Sequence, residues 1–332
     1  MNNNLTDNKR TLLGIVLPTY NNPESIEYIL NRLKNYSEKD YDYVLSIFDS
    51  STNEDTKNVV EKYASKNTEY HFVDSETNVD EKTLIAVKQS EAKYIFLIGD
   101  RYCPNLDVIF SEIDFEGNQN EIIALYDNKW KPQKNYYDKL TKFKFTDKNE
   151  FFRLHFWQLI LYGGSICKRE LISEINLEEM VSAFNGSGFI YPASLATYSS
   201  GPFESKCGDF IELVPYKTVS GWIKNKDAIR IWAKNIYDVS NKLDGILSRE
   251  CVEGIIKTTG KNTEFLTAKG IASFKCDGNF NYAIYKKYKF YINRCRACSK
   301  LSIILILIIP VWLMKFLRKV HRKLIKFFRK SK

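Results

Sequence analysis

Three stretches of the chain put polar, reactive groups at the ends of apolar runs. Gly14-Ile-Val-Leu-Pro-Thr-Tyr-Asn-Asn22 stops being apolar at Pro18 and releases a polar, aromatic loop. Val44-Leu-Ser-Ile-Phe48 runs into Asp49, and Tyr94-Ile-Phe-Leu-Ile98 runs into Gly99-Asp100. Successive strands of an alternating strand and helix pattern bring their carboxyl ends into one crevice, where such hydroxyl, amide and carboxylate groups would bind a polar ligand. Elsewhere the candidates are weaker. Cys295-Arg-Ala-Cys298 has the spacing of half a zinc site, but no second Cys or His pair matches it. His155 lies in an apolar-aromatic helical stretch, Phe151 to Leu161, and reads as a core histidine rather than a catalytic one. Tyr162-Gly-Gly-Ser165 is either a loop shaping a pocket or a tight turn. There is no phosphate-cradling P-loop, no Gly-x-Gly-x-x-Gly and no Gly-x-Ser-x-Gly.

The elements that must position these groups follow from periodicity. Strands are expected at 13–18, 43–48, 70–73 and 94–98, and helices at 24–34, 53–66 and 80–90. This is the pattern of right-handed βαβ units building a parallel sheet. Pro23-Glu24 opens the first helix, and Thr52, Asp55 and Thr56 are expected to open the second by capping free amides. Residues 116–150 are polar and read as a long excursion or a β-rich insertion. Helical periodicity returns from Glu150, breaks at Gly163-Gly164, and a further helix is expected at 226–258.

With 332 residues, 44% apolar and 14% aromatic, the chain can bury a substantial core. Seven scattered cysteines behind an N-terminus without an apolar signal core suggest reduced thiols in a cytoplasmic compartment. The charge of +9 is local: residues 300–332 carry ten Lys or Arg and no acid, which leaves −1 on residues 1–299. That distribution speaks against a nucleic-acid partner, which would meet basic residues spread over a folded face. Leu301 to Met314 is uncharged for 14 residues, short of the roughly 20 that cross a bilayer as a helix. From Lys315 to Lys332 apolar residues recur at helical spacing among cations. An in-plane anchor on anionic lipid of the cytoplasmic leaflet is expected, carried by Trp312, Lys315, Arg318, Lys319, Arg322, Lys323, Lys326, Phe327 and Arg329.

Ile15-Val-Leu-Pro-Thr-Tyr-Asn21, Asp49-Ser-Ser-Thr-Asn-Glu-Asp-Thr56 and Tyr94-Ile-Phe-Leu-Ile-Gly-Asp100 together resemble the inverting GT-A glycosyltransferases of family 2. The second run aligns without a gap on the family's Asp-Asp-Gly-Ser-Thr-Asp-Gly-Thr pattern and keeps its first Asp and last Thr. The third resembles the strand ending in a metal-binding Asp-X-Asp. The resemblance spans about residues 12–110.

It implies a Rossmann-like mixed sheet flanked by helices, a nucleotide-sugar donor and roles for single residues. Asp49 would accept the N–H of a uracil ring, Pro18, Thr19, Tyr20 and Asn22 would pack on base and ribose, and Lys82 or its neighbour Thr83 would approach the diphosphate. Gly99, Asp100 and Arg101 would complete the donor site, with Asp100 also a catalytic group. Here the chain departs from its family. Either Ile98 or Tyr102 has replaced one carboxylate of the pair. Three arrangements follow: Asp100 alone holds Mg²⁺ or Mn²⁺ with water and diphosphate, Arg101 neutralises the leaving diphosphate instead, or turnover is lost. The general base that inverting transfer requires is placed by the family near a helix start well downstream, where no acid occurs between Glu179 and Glu204. Glu179 and Glu178 are the upstream candidates, Glu204 and Asp209 the downstream ones.

The expected organisation is a disordered N-terminus at 1–10, a donor half at 11–110, an acceptor half at 111–225, a helical region at 226–299 and a basic membrane tail at 300–332. The expected function is transfer of a sugar from a UDP-sugar to a polyprenyl-diphosphate-linked saccharide at the cytoplasmic membrane face, in capsule or other surface polysaccharide synthesis. A homo-oligomer is left open, and the alternative is an inactive nucleotide-sugar-binding or scaffold protein. Tyr191, Tyr198, Trp222 and Trp232 suit either sugar stacking or a core.

Overall fold

The computed structural model of the chain describes residues 10–36, 39–127, 143–215, 227–316 and 318–320. It divides into two units, Met1–Thr218 and Val219–Lys332.

In the first unit, β1 (Leu13–Thr19) is buried along its whole length, as a strand covered on both faces must be. α1 (Pro23–Lys34) begins with a proline where the missing N–H is harmless, and buries Ile26, Ile29, Leu30 and Leu33 on one stripe. β2 (Tyr43–Asp49), α2 (Asp55–Tyr63), β3 (Thr68–Phe72), α3 (Val79–Gln89) and β4 (Tyr94–Leu97) continue the alternation. Then come β5 (Tyr102–Pro104), α4 (Leu106–Glu112), β6 (Ile122–Asp127), β7 (Phe143–Phe145), α5 (Lys148–Leu159) and β8 (Ser165–Lys168). α6 (Arg169–Glu174), α7 (Leu177–Phe184), α8 (Ile190–Tyr198), β9 (Phe203–Gly208) and β10 (Ile211–Leu213) close the unit.

Among the described residues, eight strands form one sheet in the order β3-β2-β1-β4-β8-β6-β9-β7, and β10 pairs with β5. β3, β2, β1 and β4 are mutually parallel; β8 runs antiparallel between β4 and β6; β9 is parallel to β6 and β7 antiparallel to β9. β1, β2, β4, β6 and β9 therefore all end at the same edge. The sheet is mixed and flanked by helices, as the resemblance implied.

Two details differ from the sequence reading. Within 116–150, residues 122–127 are a fully buried strand near the sheet centre, not part of an excursion. The apolar run is short and its polar flanks dilute it. α2 has no side-chain cap at Glu54; the Thr52 backbone N–H and the Asn21 amide engage each other's side chains instead, at 3.1 and 3.3 Å, and the Thr56 hydroxyl lies 3.1 Å from that of Ser51.

The second unit is helical among its described residues. A π-helical turn at Arg230–Asn235 continues as α9 (Ile236–Lys242), followed by α10 (Arg249–Asn262), α11 (Ala268–Cys276), α12 (Tyr282–Cys295) and α13 (Lys300–Ile308). The single helix expected at 226–258 is thus broken. Gly245 at φ +92° turns the chain, and the Ser248 hydroxyl starts α10 afresh by accepting the Cys251 N–H. After Pro310 a helix over Val311–Val320 leaves α13 at 105°. The end of α13 is held by Lys275, a buried side chain of α11 whose ammonium donates to the carbonyls of Ile306, Leu307 and Ile309 at 2.6, 2.7 and 2.7 Å. Among the described residues no single helix is long and apolar enough to cross a membrane. Trp312, Lys315, Arg318 and Lys319 belong to the bent pair; Arg322, Lys323, Lys326, Phe327 and Arg329, like Trp222 and residues 1–9, lie outside the described residues.

Candidate functional site

The loops leaving β1 and β2 are sewn together. Asn21, at the unusual φ of +47°, donates its backbone N–H to the Ser51 hydroxyl at 2.8 Å. An asparagine tolerates this left-handed conformation better than most residues. Ser51 in turn donates both its N–H and its hydroxyl to Asp49 Oδ1, at 2.9 and 2.5 Å. Tyr70 from β3 donates to Asp49 Oδ2 at 3.0 Å, and burial together with that bond raises the phenol's proton affinity. Asp49 is therefore a buried organiser of the loop pair, with both oxygens already engaged.

Asp100 stands at the end of β4. Its Oδ2 accepts from the Thr19 hydroxyl at 3.0 Å. Burial raises its pKa, against the hydrogen bonds from Asn22 and Thr19 and the charges of Lys82 and Arg101. Lys82 rises from α3 beneath the loop, donating to the Ser50 hydroxyl at 2.5 Å and the Thr19 carbonyl at 3.4 Å. Burial lowers its pKa, opposed by Asp49 and Asp100. Tyr20 stays exposed at the mouth, Pro18 is buried, and Asn22 and Arg101 are half-buried at the rim. The structure thus gathers Thr19, Asn22, Lys82, Asp100 and Arg101 around one point, with Asp49 one layer below.

Lys82 and Thr83 were alternatives in sequence, and both face inward. The Thr83 hydroxyl lies 2.6 Å from that of Tyr162, whose pKa burial pushes up to about 12. Tyr162 also covers Gly99: a Cβ there would sit 3.5 Å from the tyrosine Cβ. The Tyr162–Ser165 segment is the tight turn. Gly163 has φ +91°, and a Cβ on Gly164 would lie 2.0 Å from the Gln158 carbonyl. Three residues before Thr83, the buried Asp80 accepts the Gly188 N–H at 2.8 Å. Burial raises the Asp80 pKa, against the backbone N–H groups of Gly188, Ile190, Ser187 and Gly186. Its carboxylate therefore occupies the start of α8, delivered from a different helix.

Three of the four acids named from sequence for the base, Glu178, Glu179 and Glu204, are placed elsewhere. α8 ends at Tyr198, and Ser200 donates to Glu121, beside the start of β6. That is the edge of the sheet opposite Asp100. Glu179 is exposed there, accepting from the Tyr198 hydroxyl at 2.8 Å, with Glu178 beside it. Glu204 sits at the start of β9, on the same far edge, bonded to Asn120. None of the three meets the crevice: Glu204 stands at the start of a strand that runs towards it, and Glu179 is tied to Tyr198 at the far end of α8. Asp209, exposed, and Asp127, buried, do lie on the crevice edge, since Gly208 is paired with Asp127. Asp127 was missed in sequence, although Ile122-Ile-Ala-Leu-Tyr126 running into it repeats the pattern of β2 and β4.

The aromatic candidates divide similarly. Tyr191 and Trp232 are core residues, and Tyr198 is committed to Glu179. His155 is buried among Tyr126, Phe145 and Phe151, with a pKa lowered to about 3 by burial. Cys295 is buried against the Ala233 carbonyl, its thiol pushed up to about 12.

A divalent ion at Asp100 is one of the three arrangements open from the sequence. Among the described residues no three His, Cys, Asp or Glu side chains come together as a metal site. Asp100 is a single carboxylate, already bonded to Thr19 and facing two fixed cations. It would give a hard dication one protein ligand, leaving water and the donor's diphosphate to supply the rest, an arrangement Mg²⁺ accepts.

No protein-family model and no curated protein matches the chain. Solved structures do. TarS of S. aureus, residues 1–349, superposes with a TM-score of 0.54 at 13% identity over 86% of this chain and 83% of that one. The same TarS fragment in complex with UDP gives 0.50 at 16%, over 80% of each chain. The mannosyltransferase PcManGT from Pyrobaculum calidifontis, in complex with GDP-Man and Mn²⁺, gives 0.52 at 14%, over 90% of this chain and 79% of that one. At these identities the likeness is one of architecture, and the chain carries the GT-A glycosyltransferase fold expected from its strand-end motifs.

Proposed function

We propose that the protein is an inverting glycosyltransferase that uses a nucleotide-sugar donor, a UDP-sugar. The observation that carries this reading is the sewn pair of β1 and β2 loops with Thr19, Asn22, Lys82, Asp100 and Arg101 gathered at one point, on a fold shared with proteins solved with UDP and GDP-Man. Tyr20 forms the wall for the base. Arg101 at the rim meets the diphosphate with a guanidinium that matches phosphate geometry, and Lys82 adds positive potential from below. Asp100 holds the Thr19 and Asn22 side chains in place.

Inverting transfer needs a base for the acceptor hydroxyl. We assign it to Asp80, whose burial-raised pKa and position beside Thr83 and Tyr162 suit a proton acceptor. The acceptor is a polyprenyl-diphosphate-linked saccharide at the cytoplasmic leaflet, within surface polysaccharide synthesis. The exposed apolar pair beyond Ser299 and the cations after it support that setting. The acceptor half is 111–225. A non-catalytic nucleotide-sugar binder is the second reading, favoured by the absence of Glu178, Glu179 and Glu204 from the crevice.

Calorimetric titration with a UDP-sugar panel tests the donor site. Binding is expected to change by less than about threefold on adding Mn²⁺, and to fall by on the order of tenfold or more in Arg101→Ala, a loss of one charge-assisted contact. Strong Mn²⁺ dependence that vanishes in Asp100→Ala would return the ion to Asp100. Binding without transfer to any lipid acceptor would favour the second reading.

A further inference from the structure

We propose that α12 is a second membrane-contact surface, which lies against the headgroup layer of a bilayer carrying anionic lipid. The proposal rests on the reading that the apolar segment beyond Ser299 meets a bilayer.

The charge boundary lies earlier than the tail. After Asp277 the chain has no acid and 15 Lys or Arg, so residues 1–277 carry −6 of the overall +9. Five of those cations precede residue 300, and Lys286, Lys287, Lys289 and Arg294 stand exposed on α12. Among the described residues none of these four is in an ion pair. α12 packs on its unit through Ile292 and Cys295. Its outer side presents Tyr282, 70% exposed, and Phe290, 53% exposed. Lys286, Phe290 and Arg294 recur every four residues and share one stripe. The Arg294 guanidinium lies 5.7 Å from the Phe290 ring centre.

A half-exposed aromatic ring that packs edge-on against Tyr237 and carries a cation at its face gains little from water. It gains by entering the boundary between headgroups and acyl chains while lysine stems extend to the phosphates. A soluble polyanion would use the cations but not the rings. Nor would it use Leu301, Ile304, Leu305 and Ile308, which are exposed on α13 a four-residue link away. The Lys275 clamp supports the same geometry. It ties the far end of α13 to α11 within the same unit, so the apolar helix stays beside the helical body that carries α12.

Sedimentation of the full chain with phosphatidylcholine vesicles, with and without phosphatidylglycerol, tests this. Three variants are compared, each checked for an unchanged melting transition. The quadruple variant Lys286→Gln, Lys287→Gln, Lys289→Gln, Arg294→Gln is expected to lose on the order of 10³-fold in partitioning onto phosphatidylglycerol vesicles, about fivefold for each of the four cations. Phe290→Ser is expected to lower binding to both vesicle types. Partitioning of the quadruple variant equal to that of the parent overturns the proposal, and so does loss of polyphosphate binding with vesicle binding intact. The variant Leu301→Ser, Ile304→Ser, Ile308→Ser tests the underlying reading separately: if it sediments like the parent, the tail is not an anchor, whatever α12 does.

Discussion

Asp80 carries two roles that a single substitution can separate. Its carboxylate pins Gly188 at the start of α8, and in the proposed reaction it takes a proton. Asparagine keeps an acceptor oxygen for the Gly188 N–H but cannot accept a proton at working pH. Asp80→Asn is expected to keep the fold with a modestly lower melting temperature, because its NH₂ replaces one acceptor oxygen facing the N–H groups at the start of α8, and to lower kcat/KM by roughly 10²-fold or more. A burial-raised pKa means that ionised Asp80 is costly to the fold. Stability from this group is full below the ordinary Asp value and declines as pH rises through the raised one. Activity runs the other way, climbing with pH through that raised value, and the acid limb should disappear in the variant. Full activity in Asp80→Asn would leave the residue a loop pin only. Little of this could be read from sequence, because Asp80 and Gly188 are 108 positions apart. Asp49, by contrast, was legible as a strand-end acid, though not the extent to which Ser51 and Tyr70 already occupy it.

Among the elements, β1 to β4 with their helices were readable because each strand is a continuous apolar run cut off by a polar group. β6 repeats that pattern but is embedded in polar sequence, and only its pairing with β8 and β9 reveals it as central. The break between α9 and α10 was hidden for a related reason: apolar spacing runs through it, and only the backbone of Gly245 and the Ser248 cap interrupt the helix. α5 seats on β6 through His155, whose Nδ1 lies 2.5 Å from the Tyr126 hydroxyl. A histidine held near pKa 3 must be neutral in the fold. Its contribution is complete above the ordinary value of about 6.5 and is lost as pH falls towards the folded value. Denaturant melts should show a loss on the order of 2–3 kcal/mol between pH 7 and pH 4. In His155→Phe that slope should flatten, with a cost of about 1 kcal/mol at pH 7 for the hydrogen bond lost between the two side chains. An unchanged slope would show that acid sensitivity arises elsewhere.

At the scale of the whole molecule, the chain joins an acidic unit of the GT-A fold to a basic helical one. Removing residues 300–332 is expected to shift the protein from the membrane pellet to the supernatant while donor binding at the crevice stays within about twofold, since the donor-site residues all lie in Met1–Thr218. Continued sedimentation of the truncated chain would place the membrane contact outside the tail. The bend at Pro310, fixed by Lys275, has a further consequence. A helix that spans a bilayer must match its hydrocarbon thickness, and membranes of different thickness sort such proteins. An apolar helix pair bent through 105° presents no single straight span to match. In the proposed membrane setting, residence would be governed by apolar burial at the interface and by leaflet lipid charge, rather than by bilayer thickness.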